Sequence, residues 1–170
     1  MISHFAAGTH GCIVGGKPML LILKFRQIRS GDDEGKILYK FPGGMGENQE
    51  VPVNTAVREL VDEVGGEGFK ISSINEFHRK GNPNGHLKLF YFFQHEGAFR
   101  KDEKMDGNSL LLDVYYEDVR SIHHNPDFAW AHRSALRAAI LSLAQEHAEF
   151  AYAADELGID SAWEVRQAAR

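Results

Sequence analysis

A single cysteine, Cys12, occurs in the 170 residues, so no disulfide can close within the chain. A small disulfide-stapled scaffold is thereby excluded, and a reducing, cytoplasmic setting fits the lone thiol. No run of five or more lysines and arginines exists, and 19 basic residues face 24 acidic ones, for a net charge of −5. That balance speaks against a basic stripe for nucleic acid. Long apolar runs are also missing. The longest, Met19 to Leu23, falls far short of the about 20 residues a membrane helix needs, so no membrane partner is expected. Met1 to His10 has neither the basic nor the long apolar stretch of a secretory leader. The nine histidines are scattered, with His123-His124 the one adjacent pair, and no H-E-x-x-H spacing or cysteine partner suggests a structural zinc. Gly43-Gly44-Met45-Gly46 lacks both the Gly-Lys-Ser/Thr of a P-loop and the G-x-G-x-x-G spacing of a dinucleotide fold.

What is present suits one well-buried core. The apolar share is 43% and the charged share 25%, ordinary for a globular chain, and 170 residues are too few for two comfortable cores. The chain is therefore read as a single domain over residues 1–170. Phe5 to Val14 and Met19 to Phe25 are apolar strand-like runs joined by Gly15-Gly16-Lys17-Pro18. Residues 26–36 read as a polar loop, and Ile37 to Phe41 as a short strand that stops at Pro42-Gly43-Gly44. A helix is expected from Pro52 to Val64, with proline in its first turn and Gly65-Gly66 at its exit. Ile71 to His78 and Leu87 to Gln94 form strands around the turn Gly81-Asn82-Pro83-Asn84-Gly85. Residues 96–109 read as a charged loop and Leu110 to Tyr116 as a strand. From about Asp127 to Phe150, Leu136, Ile140, Leu143 and Phe150 recur at helical spacing, and a further helical stretch covers Ala151 to Arg170 with a break near Gly158. Strands mixed with a few helices imply an α+β fold, an α/β/α sandwich with a C-terminal helical extension over about residues 127–170.

The helix over 52–64 concentrates the chemistry. At about 100° per residue, with Glu59 at zero, Glu63 falls near +40° and Asp62 near −60°. Val53, Val57, Leu60, Val61 and Val64 fall on the opposite side, and Arg58 flanks the acidic arc. A solvated acidic face would show this pattern too, but such faces usually interleave lysine or arginine at i+4. Here Glu59 and Glu63 are a like-charged i, i+4 pair with no lysine beside them, an arrangement that costs ~0.2–0.5 kcal/mol. A hard divalent cation would turn that repulsion into coordination.

The spacing around this helix narrows the alternatives. From Gly44 the chain runs through five residues to Glu50, then seven more to Arg58-Glu59-Leu60-Val61-Asp62-Glu63-Val64-Gly65-Gly66. This segment resembles the box of the Nudix hydrolase family, MutT-like enzymes whose pattern is G-x5-E-x7-R-E-U-x-E-E-x-G-U with U aliphatic. Phe41-Pro42-Gly43-Gly44 is similar to the usual entry into that box. Two positions depart from it: Asp62 replaces a glutamate and Gly66 an aliphatic residue. The aspartate keeps its charge but withdraws its oxygens, so that a water could bridge it to a metal.

The resemblance implies a mixed sheet flanked by helices and a Mg²⁺- or Mn²⁺-dependent pyrophosphohydrolase. Its substrate would be a nucleoside diphosphate linked to another moiety; the acidic net charge does not oppose such a ligand, because the cation supplies positive charge locally. Carried over, Glu59, Asp62 and Glu63 would be the metal ligands with the Gly43 carbonyl as a further one. Arg58 would hold Glu59, Glu50 would pair with Arg58, Gly44 would let the backbone turn tightly, and Gly65 would end the helix. Glu59 is the first choice as proton acceptor, and Glu103 in the charged loop is the alternative. Asp62 also leaves open a sensor that binds a nucleotide without efficient cleavage. Arg26, Arg29 or Lys40 could contact phosphate, Tyr39 or Phe77 could stack on a base, and Pro83 lies close to where ADP-ribose-cleaving relatives carry a proline. Cys12 reads as core. That speaks against the superfamily's isomerases, which use a reactive cysteine. The extra C-terminal helices could serve a homodimer.

Overall fold

The computed structural model describes residues 3–28 and 34–160. Two sheets carry nine strands: β1 (His4–Thr9), β2 (Gly11–Val14), β3 (Lys17–Gln27), β4 (Ile37–Lys40), β5 (Gly43–Met45), β6 (Lys70–Gly81), β7 (Leu87–Glu96), β8 (Lys104–Asp106) and β9 (Ser109–Asp118). Among the described residues four α-helices accompany them: α1 (Pro52–Val64), α2 (Val119–His124), α3 (Arg133–Ala144) and α4 (Ala148–Leu157). One sheet has the order β5-β1-β7-β6, with β1 parallel to β7; the other runs β2-β3-β9-β8, with β4 also paired to β3.

Alternation along the strands sorts the core into two layers, as a period of two requires. Ala6, Leu89 and Tyr91 pack with Ala56, while Leu21 and Phe93 pack with Leu60 and Val64, so α1 covers one face of both sheets. The intervening residues Ala7, Leu20, Ile22 and Phe90 point the other way and meet Val119, Ile122, Leu136, Ile140 and Phe150. Helices therefore cover both faces, giving the expected α/β/α arrangement. Each fully buried Leu, Ile or Phe contributes ~1.5–3 kcal/mol of transfer energy to that arrangement.

Helix α1 occupies the residues its proline and glycines suggested. Other boundaries differ. The run Phe5–Val14 is two strands rather than one: β1 belongs to the first sheet and β2 to the second, with His10 at the crossing. Around that crossing the sheets are stitched by Thr9 Oγ1 donating to the Leu21 carbonyl at 2.9 Å and the Leu21 amide donating to the His10 carbonyl at 3.0 Å. The strand that begins at Ile37 does stop before Pro42, at Lys40, but Gly43–Met45 form a further strand, in the other sheet, that pairs antiparallel with β1. The loop over 96–109 contains β8. The C-terminal helical region is broken into a 3-10 turn (Trp130–His132), α3 and α4, and α2 precedes it. Helix α4 ends at Leu157, where Gly158 takes a left-handed conformation (φ 68°), as the expected break required. The helical stretch proposed to run on to Arg170 lies, from residue 161, outside the described residues. Among those described, no helix is long and apolar enough to cross a membrane.

His132 locks the segment that leads into β5. Its ring is 5% exposed, stacks on Phe41 at 5.9 Å, and accepts the Phe41 amide proton on Nδ1 at 3.1 Å. Burial, reinforced by the nearby Lys40 and Lys88 ammonium groups, lowers its pKa to about 3, so the ring stays neutral.

Candidate active site

The start of α1 has no side-chain cap at Val51; residues around it build a polar network instead. Thr55 Oγ1 donates to Glu50 Oε1 at 2.5 Å. With its hydroxyl proton so committed, Thr55 accepts from His4 Nε2 at 2.7 Å. Arg58 grips Glu50 with both Nε (2.9 Å) and Nη2 (3.0 Å), donates from Nη1 to Glu59 Oε1 at 2.6 Å, and from Nη2 to the Met45 carbonyl at 3.0 Å. The guanidinium is thus tied to the box glutamate, the next residue on the helix and the end of β5. Such a bidentate, charge-assisted bond holds the Glu50 carboxyl down at about 2, helped by the Thr55 hydroxyl.

One turn further along, Glu63 is 1% exposed, beneath β5 rather than on a solvated face. The Gly43 amide donates to Glu63 Oε1 at 2.6 Å, and the Lys40 ammonium lies 3.3 Å from Oε2 while donating to the Gly43 carbonyl at 2.9 Å. Burial outweighs these partners and pushes the Glu63 carboxyl up to about 7. Glu59 is raised as well, chiefly by burial, against the pull of Arg58. Helical spacing placed Val61 on the buried side, yet it is 45% exposed, whereas Glu63 lies inside. The buried face is rotated toward Glu63 because β5 and β1 lie against that side of the helix.

Glu59, Glu63 and Asp106 offer oxygens that all lie within 4.8 Å of one another. Gly44 makes room for this cluster: a Cβ there would sit 2.5 Å from the Glu59 carboxyl carbon. Close approach of the acid, rather than turning freedom, is what glycine supplies at this position.

Asp106 escaped the sequence reading. It ends β8 and pairs with Ser109, so Gly107-Asn108 forms a two-residue hairpin turn. That dipeptide between Met105 and the Leu110–Leu112 run was the signal available in the sequence. Glu103, the loop acid considered for proton transfer, is exposed and outside the cluster. It lines instead a cavity of about 410 Å³ between residues 65–67 and 98–104, which none of the three clustered acids lines. Asp62 is also exposed and outside the cluster, and its carbonyl accepts from Lys104 Nζ at 2.7 Å. Gly65 caps α1 in an extended conformation, its amide donating to the Val61 carbonyl. At Gly66, where the family pattern has an aliphatic residue, a Cβ would lie 2.7 Å from the Phe99 backbone. The departure is explained by the strand-to-loop segment packed there.

Among the weaker suggestions, Lys40 is part of the site, Arg26 is exposed, and Arg29 lies outside the described residues. Phe77 stacks on Phe92 at 4.0 Å, and Tyr39 packs against the core. Cys12 is half-buried on β2, with its thiol pushed up by burial, the opposite of an activated nucleophile.

The sequence matches the model of the NUDIX domain family over residues 6–139. The chain belongs to the Nudix family. A search of curated proteins gives no match. Solved structures share the fold at low identity. A MutT Nudix hydrolase from Burkholderia pseudomallei is 16% identical, with a TM-score of 0.56 over 79% of this chain and 95% of that one. A protein described as an ADP compounds hydrolase is 15% identical, with a TM-score of 0.62 over 86% and 75%. The Nudix domain of NrtR from Shewanella oneidensis, solved with ADP-ribose, is 14% identical, with a TM-score of 0.57 over 80% and 84%.

Proposed function

We propose that this Nudix protein is a Mg²⁺- or Mn²⁺-dependent hydrolase that cleaves the diphosphate of a nucleoside diphosphate linked to another moiety. The observation that carries the reading is the gathering of Glu59, Glu63 and Asp106 oxygens within 4.8 Å. Two of those carboxyls are held above their ordinary range by burial, an arrangement that a hard divalent cation relieves. Glu59, Glu63 and Asp106 would hold the ion, with Asp62 reaching it through water. The Gly43 carbonyl would join only by sharing itself with Lys40. When bound, the cation neutralises phosphate oxygens and acidifies a water.

The chain's own residues supply positioning and proton transfer. Arg58, tied at once to Glu50, Glu59 and Met45, sets the Glu59 carboxylate in one rotamer. Lys40 and the Gly43 amide hold Glu63 from both sides. Glu59, partly buried, and Asp106, exposed, are the two members of the cluster that a water can reach from solvent, so the proton goes to Glu59 or, through its free oxygen, to Asp106. The ADP-ribose and ADP-compound chemistry named for two structural neighbours supports a nucleotide derivative as substrate.

A second reading, a nucleotide sensor without efficient cleavage, draws on Asp62, shortened and outside the cluster. A panel of nucleoside diphosphate derivatives with Mn²⁺, read by release of phosphorylated products, decides between them. Metal-dependent product from at least one compound is the expected result. Thermal stabilisation by a nucleotide, with no product from any compound, would establish the sensor and overturn the enzyme.

A further inference from the structure

Lys80 on β6 and Lys88 on β7 stand directly opposite one another across the two strands. A like-charged cross-strand pair is destabilising, and among the described residues neither ammonium has a hydrogen-bond or ion-pair partner. Lysines do guard exposed sheet edges against pairing, which accounts for Lys80 on the edge strand β6. It does not account for Lys88, because β7 lies between β1 and β6.

Both lysines line a cavity of about 170 Å³ together with Asn82, His86 and Trp130, and no carboxylate lines it. Asn82 Oδ1 already accepts the Asn84 and His86 amides at 3.1 and 3.0 Å, leaving only the Nδ2 donors of that side chain. Trp130, on the 3-10 turn, is 86% exposed, the most exposed large apolar side chain among the described residues. The walls therefore offer unspent donors and positive charge, beside a bare aromatic face.

We propose that this cavity binds a nucleoside monophosphate group, its phosphate between Lys80 and Lys88 and its base stacked on Trp130. The volume is below the roughly 300–1,000 Å³ of sites that enclose a whole drug-sized ligand, so the phosphate enters while the ring lies on the indole at the mouth. Ammonium groups suit phosphate as point charges, and every base offers a π-face for stacking, which leaves base identity open. The site needs neither the acid cluster nor a metal, so it stands whether or not the hydrolytic reading does. Its occupant is either the far nucleotide of the hydrolysed compound or a separate nucleotide.

The test uses the full chain carrying Trp163→Phe, in which Trp130 is the remaining indole of two, titrated with AMP in the absence of divalent cations. Saturable quenching of Trp130 fluorescence is expected, unchanged by Glu59→Gln. It weakens about tenfold or more in the Lys80→Gln/Lys88→Gln double variant, the effect of losing charge-assisted bonds. That variant keeps its unfolding midpoint or raises it, because the like-charged pair is gone. Absence of saturable quenching into the millimolar range overturns the proposal, as does equal AMP affinity in the double variant, or adenosine binding as tightly as AMP. With a hydrolysed compound in hand, a raised KM at constant kcat in the double variant assigns the pocket to the substrate's own far end. An unchanged KM in the double variant, with AMP still quenching Trp130 of the otherwise wild-type chain at saturating substrate, assigns it to a separate nucleotide.

Discussion

Replacing His132 with glutamine removes a titratable ring from the core while leaving an acceptor for the Phe41 amide. The folded-state pKa of His132 lies at about 3 because of burial and the neighbouring Lys40 and Lys88 charges, while in the unfolded chain it returns to about 6.5. Between those values the unfolded chain binds a proton that the folded one refuses, so stability is lost as pH falls through that window and regained as it rises. The slope approaches about 1.4 kcal/mol per pH unit, and integrating from pH 7 to pH 5 gives a loss of about 2 kcal/mol from this one ring. For a chain of this size that is a fall in Tm of about 4–8 °C. Urea titrations of both proteins at pH 7, 6 and 5 measure the difference directly and cancel the contributions of the other titrating groups. The wild type is expected to lose about 2 kcal/mol more than His132→Gln over that interval. Parallel losses in the two proteins would refute the claim that a neutral, buried His132 anchors the segment entering β5.

Three further outcomes are expected. Glu59→Gln and Glu63→Gln each lower turnover by orders of magnitude while leaving Tm nearly unchanged, since a carboxamide oxygen at position 63 can still accept the Gly43 amide; near-wild-type turnover in either variant contradicts the assignment. Mn²⁺ at a hundred times its Kd adds about 2.7 kcal/mol of stability, or roughly 5–10 °C in Tm, and thermal melts of Asp106→Asn should lose most of that gain. Gly66→Val, which restores the family's aliphatic residue, should destabilise by at least ~1–3 kcal/mol, because its Cβ meets the Phe99 and Arg100 backbone at 2.7–2.9 Å; denaturant titration showing no loss would mean the 98–100 segment yields freely.

How much of this was legible in the sequence depended on the range of the interaction. Helix α1, its two glycines and the spacing from Gly44 to Gly66 are local features, and the structure places the helix over the residues expected. The pairing of Glu50 with Arg58, eight residues apart across the first turns of that helix, also followed from the box. Burial of Glu63 did not, because it is imposed by β5 and Lys40, which reach the helix only through the sheet. Asp106 was missed for the same reason: its approach to Glu59 is set by the β8–β9 hairpin, more than forty residues away along the chain. The division of Phe5–Val14 between two sheets left no trace in hydrophobicity, since both halves are apolar and extended.

The exit of α1 is fastened to the segment after β7 by paired backbone bonds: Gly66 to Ala98, Ala98 to Glu67, and Arg100 to Val64, with Arg100 Nε also donating to the Glu63 carbonyl. The acids of the helix and the acid at the tip of β8 are consequently registered by a short clamp that excludes the long β6–β7 ribbon lying between them in sequence. Residues 82–85, the exposed tip of that ribbon, can therefore lengthen, shorten or exchange side chains over evolutionary time without disturbing the spacing of the three carboxylates, whereas Leu89, Tyr91 and Phe93 in its paired part are held by the core beneath α1. In such a layout, ligand preference is free to drift while the reactive core is inherited intact.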